Sequence, residues 1–139
     1  MTQRASGPND PVREYLRRCG ASYSVVVHGL RGLVENWERV VNQVVEGYPL
    51  TLDDYLNDMD GRQLLANALD IAPEEVRNSF LPRVHDADVK IRLNLVPAGR
   101  CLWGGIVAEE EGWTEEGNWW YFERPRHPGP ELRSELDLP

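Results

Sequence analysis

The chain has 139 residues, 41% of them hydrophobic and 27% charged, with a formal net charge of −8. That length suffices for one domain with its own core, and this balance of apolar and charged residues excludes wholesale disorder. No apolar run approaches the roughly 18 residues that cross a bilayer, and the polar opening Met1–Asp10 has no signal-like apolar stretch, so a cytoplasmic address is expected.

Residues 1–9 are small and polar and are expected to lie outside the fold as a disordered N-terminus. Asp10-Pro11 reads as a cap followed by proline at the first helical position, and Val12, Tyr15, Leu16 and Cys19 then repeat at helical spacing up to Gly20. Residues 21–29 are β-branched enough for a strand. The spacing of Tyr23, Val26, Val27 and Leu30 favours helix or irregular structure instead. A wide apolar stripe (Leu30, Leu33, Val34, Trp37, Val40, Val41, Val44, Val45) predicts a helix over 30–46, closed by Gly47 and Pro49. Thr51 with Asp54 forms a capping-box signature ahead of Leu52, Tyr55, Leu56 and Met59. The next apolar set, 64/65/68/69, centres about 160° away around a helix axis. One straight helix cannot bury both on one side, so a break at Asp60-Gly61 is expected. Pro73-Glu74-Glu75 opens a further short helix ending near Leu81-Pro82.

The apparent period then changes from 3.6 to 2. Val89, Ile91, Leu93 and Leu95 alternate with Lys90, Arg92 and Asn94, predicting a strand. Residues 101–108 and 119–123 read as two more, separated by a glycine-rich acidic loop over 109–117, and a proline-rich extended tail follows from 125 to 139. The expected fold class is α+β: about four N-terminal helices packed on a C-terminal three-stranded antiparallel meander, forming one domain over 10–124.

Charge is unevenly spread. Residues 51–88 carry three basic and nine acidic groups, and residues 109–139 carry the same numbers. Such a field repels phosphate backbones and anionic lipid, so neither nucleic acid nor a membrane is expected as partner, whereas a basic protein is. Cys19 and Cys101 lack ligand or redox spacing and read as small buried hydrophobes.

Asp53, Asp54, Asn57, Asp58 and Asp60 crowd one segment, with Arg62 expected to pair with Asp58. As a calcium loop the segment fails, because Leu56 and Asn67 fall where the first carboxylate and the bidentate glutamate belong. His85-Asp86 matches a metal-hydrolase doublet in two letters only, and no P-loop, nucleophile elbow or dinucleotide fingerprint is present. In a strand over 119–122, Trp119 and Tyr121 face one way and Trp120 and Phe122 the other. One aromatic face is then left near Trp113.

These features predict a non-enzymatic protein-binding module (an inhibitor, immunity or antitoxin-like protein) without cofactor or metal. Its expected contacts are Asp54, Asp58, Asp60, Arg62, Trp113, Trp119 and Trp120. Two alternatives are a small metal-dependent hydrolase using Asp53–Asp60 with His85 and Asp86, and a structural homodimer joined through the tryptophan-rich sheet.

Overall fold

The computed structural model describes residues 10–138, so the expectation for residues 1–9 lies outside the described residues. The described chain forms six α-helices and one two-stranded sheet: α1 Asp10–Arg18, α2 Tyr23–Glu46, α3 Leu52–Ile71, α4 Glu74–Arg92, β1 Leu95–Pro97, α5 Gly105–Glu111, β2 Glu123–Pro125 and α6 Pro130–Glu135. The fold is therefore mainly helical, and the expected three-stranded meander is absent among these residues. β1 and β2 pair antiparallel, with Val96 opposite Arg124. Helix α2 packs against α1, α3 and α4, and α3 also meets α1, α6 and a 3₁₀ turn at Trp119–Tyr121.

Each departure from expectation has a local cause. The alternation over 89–95 coincides with a helical stripe, Phe80, Val84, Ala87 and Ile91, all buried in α4. Val89 and Leu93 are left 47% and 72% exposed. Pro82 lies inside this helix and costs it a backbone hydrogen bond, an effect of about 3 kcal/mol. Burying Val84 and Ile91 returns roughly 1.5–3 kcal/mol each, so the helix runs on through the proline.

The expected break at Asp60-Gly61 is also absent, and α3 is continuous. Its buried face is completed by Arg62, only 7% exposed, which links Tyr55 and Met59 to Leu65 and Leu69. Thr51 caps α3 as anticipated, accepting from the Asp54 amide at 3.1 Å while the Asp54 carboxylate accepts from the Thr51 amide at 3.2 Å.

From Tyr23 on, the segment 21–29 is helical and forms the start of α2, but at Gly29 (φ 58°, ψ −148°) the backbone leaves helical geometry and bends. That region of backbone space is closed to side-chain-bearing residues. Gly29→Ala is expected to destabilise the fold by roughly 1–3 kcal/mol, read from the shift in urea midpoint at unchanged slope.

Residues 101–104 are a turn leading into α5, which takes in 105–108, rather than a strand, and residues 119–121 are a 3₁₀ turn. Only Glu123–Pro125 of that region is extended. The tail does not trail away: Leu132 and Pro128 are buried, and the Gly129 amide donates to the Tyr48 carbonyl at 2.8 Å. A Cβ at Gly129 would stand 2.6 Å from that same carbonyl oxygen, so glycine is required there. No described helix is long and apolar enough to cross a membrane.

Candidate functional site

Helix α3 organises the polar chemistry of the molecule, and its two sides do different things. On the inner side, Arg62 reaches across to α4. Its Nε and Nη2 donate to Asp88 Oδ1 and Oδ2 at 3.1 and 2.8 Å, and Trp37 Nε1 donates to the same Oδ1 at 2.9 Å. The guanidinium lies 4.3 Å from the Trp120 ring centre, with Trp37 at 5.8 Å and Trp119 at 6.0 Å. A cation enclosed by indoles and paired to one carboxylate holds α2, α3, α4 and the 3₁₀ turn together. Arg62 thus pairs with Asp88, not with the expected Asp58, and Arg62, Trp119 and Trp120 belong to the core.

The outer side of α3 carries the remaining acidic residues. Asp60 Oδ1 accepts from the Tyr121 hydroxyl at 2.7 Å and from Trp103 Nε1 at 3.0 Å. Trp113 stacks on the Tyr121 ring at 3.8 Å and is half-buried. One turn further along α3, Gln63 Oε1 accepts from Asn118 Nδ2 at 2.8 Å. Asn118 in turn receives the Thr114 amide, and the Gly117 amide donates to Thr114 Oγ1. The segment expected to be an acidic loop is therefore a lobe, α5 and the turn after it, fastened to α3 at Asp60 and Gln63. Gly112, left-handed at φ 73°, ends α5 by donating to the Ala108 and Glu109 carbonyls.

The surface of this lobe is sharply defined. Ile106 is 77% exposed and Trp103 41%. Glu109, Glu110, Glu111, Glu115 and Glu116 are all exposed around them in sequence. Trp103 and Ile106 are missing from the residues expected to bind a partner. Their signal was present in the glycine brackets Gly104-Gly105 and Gly112, which mark a short helix rather than a strand.

Beside the lobe, α2 and α3 enclose a groove of about 540 Å³ lined by His28, Asn36, Arg39, Asn57, Asp58, Asp60 and Leu64, among others. Gly32 and Gly61 also line it and, having no side chains, leave it open. Asp58 accepts from the Tyr48 hydroxyl at 2.5 Å. Burial raises the Asp58 pKa above the usual carboxylate range, against the lowering effect of the Tyr48 hydrogen bond and of the Arg39 charge. A raised folded-state pKa means that the contribution of Asp58 is favourable below the ordinary carboxylate range and is lost as pH rises. Asp58→Asn keeps an acceptor for Tyr48 and removes the buried charge. It is expected to stabilise the fold at neutral pH by up to about 1 kcal/mol, a gain that disappears in denaturation series run at acidic pH.

Of the other expected contacts, Asp54 is engaged in its cap and Asp53 is exposed in the first turn of α3. His85 and Asp86 lie on the exposed side of α4, a helix rather than the expected loop. Among the described residues no three His, Cys, Asp or Glu side chains gather closely enough to hold a metal ion. The tryptophan-rich sheet face of the homodimer alternative does not form, because Trp119 and Trp120 are buried in the 3₁₀ turn. Cys101 is buried as expected, whereas Cys19 is exposed. The chain matches no protein-family model, no curated protein and no solved structure.

Proposed function

We propose that this chain is a non-enzymatic binding module that engages a basic protein surface through the α5 lobe. The observation that carries this reading is Trp103: its indole is fixed by a hydrogen bond to Asp60, yet a large part of it faces solvent. An aromatic side chain held in place before binding loses little entropy on contact, which is the property of interface anchors. Ile106, three residues on, is a second exposed apolar side chain, and the exposed Glu109, Glu110, Glu111, Glu115 and Glu116 give the segment charge of one sign. Such charge speeds encounter with a basic partner and repels acidic ones. The reading differs from the sequence-based one in its anchors, Trp103 and Ile106 in place of Trp113, Trp119 and Trp120, and keeps the same partner chemistry.

The test is a quantitative capture from extract of cells in which the chain is native, comparing the wild type with Ile106→Asp and Trp103→Ala. Val89→Asp on α4 serves as the control. Basic proteins recovered by the wild type and the control are expected to fall at least about tenfold with either lobe variant, since one anchor is worth more than 1 kcal/mol. Equal recovery with all four proteins removes the lobe from consideration.

A further inference from the structure

Between α1 and the first turns of α2 lies a cleft of about 510 Å³. Its apolar lining is Ala21, Tyr23, Val26 and Val27, and its charged lining is Arg13 and Arg17. Tyr23 and Val27 stand open to solvent. Arg13 Nη2 donates to the Val27 carbonyl at 3.1 Å, and Arg17 Nη1 meets Glu14 at 3.2 Å, so both guanidinium groups are held at the rim. In a chain of net charge −8 this is a basic cleft with an apolar floor. Its chemistry is the complement of the α5 lobe, where an exposed isoleucine shares a short helix with Glu109, Glu110 and Glu111.

We propose that the basic partner of the lobe is the cleft of a second copy of this chain, with Ile106 seated over Val26 and Val27 and the α5 glutamates facing Arg13 and Arg17. This rests on the lobe being a binding surface, as argued above. The two contacting patches differ, so the contact is head-to-tail. Copies then add to one another in open chains or close into rings, instead of stopping at a two-fold dimer. Complementary charge at exposed positions makes the contact sensitive to ionic strength.

Sedimentation of the full chain is expected to show mass rising with protein concentration at low salt, and less at high salt. Ile106→Asp disables the lobe and Val27→Asp disables the cleft, and both positions are exposed enough to accept the change without loss of fold. Each variant alone is expected to be monomeric. Mixed, they are expected to form a one-to-one pair, because each retains the half that the other lacks. A two-fold contact through either patch cannot give that complementation. A wild type that stays monomeric, or a mixture that does not pair, overturns the head-to-tail contact. In either case the capture experiment with Ile106→Asp still decides whether the lobe binds another protein with a basic surface.

Discussion

Asp88→Ala is expected to cost about 3–5 kcal/mol of folding stability, a large fraction of what a domain of this size possesses. The reason is what the substitution leaves behind. Arg62 is buried, its Nε and Nη2 both end on Asp88, and Nη1 has no hydrogen-bond acceptor among the described residues. Without Asp88 the guanidinium keeps its charge in a cage of three indoles with no counter-ion, and Trp37 Nε1 loses its acceptor as well. The Asp88 side chain is 20% exposed, so water can reach the gap and hold the loss to the lower part of that range. Removing both charges behaves differently. Arg62→Met with Asp88→Leu leaves no buried ion and is expected to recover most of the lost stability, because a buried pair is seldom worth more than well-packed apolar side chains. Urea denaturation of the two single variants and the double variant reads the non-additivity directly. A simple sum of the single costs would refute the account of Arg62 as one half of a desolvated pair.

The second large effect is expected at alkaline pH. Tyr48, Tyr55 and Tyr121 are almost wholly buried, and burial pushes all three phenol pKa values far above 10. Hydrogen bonds to Asp58 and Asp60 add to the shift at Tyr48 and Tyr121. A folded-state pKa raised above the unfolded one contributes stability that is intact below pH ~10 and falls as pH rises beyond it. Each tyrosine removes about 1.4 kcal/mol per pH unit, so the three together remove about 4 kcal/mol per unit. A stability of 5–15 kcal/mol, typical of single domains, is then exhausted within roughly four units above that point. Tyrosinate absorbance and far-ultraviolet circular dichroism should therefore change together in one cooperative step, with three of the five tyrosines ionising only as the fold is lost. Tyr55→Phe is the informative variant. Its hydroxyl is buried with no hydrogen-bond partner among the described residues, so the substitution should reduce the slope by a third and stabilise the fold slightly at neutral pH. A gradual titration of all five tyrosines with the helices intact would contradict the burial of these three groups.

Much of the helical half was legible in the sequence because its signals are local. The Asp10-Pro11 start, the 30–46 stripe, the Gly47 stop and the Thr51–Asp54 capping box each involve residues within one or two turns of each other. The apolar alternation over 89–95 was local too, and misled, because Ile91 belongs equally to a period of 2 and to the stripe of Phe80, Val84 and Ala87. Length decides between the two: a stripe of about three turns buries more than a strand of seven residues with no neighbour close in sequence.

The candidate site was legible only in part. The acidic stretch on α3 drew notice, and Asp58 and Asp60 do line the groove. Arg62 could not be separated from them, because its partner, Asp88, lies 26 residues away on another helix. The aromatic cluster was recognised by composition, but which indoles face water was not.

The sequence by itself determined the helix after Asp10, the 30–46 stripe with its Gly47 stop, the capped start of α3 and the sign of the surface charge, all of which depend on spacing along the chain and on counting. Tertiary structure decided that a charged residue completes the core face of α3, that Trp119 and Trp120 are enclosed while Trp103 and Ile106 are presented, and that α5 stands fastened to Asp60 and Gln63. Those outcomes turn on which distant donor meets which acceptor once the helices pack, since a buried polar group is tolerated only where a partner arrives from elsewhere in the fold.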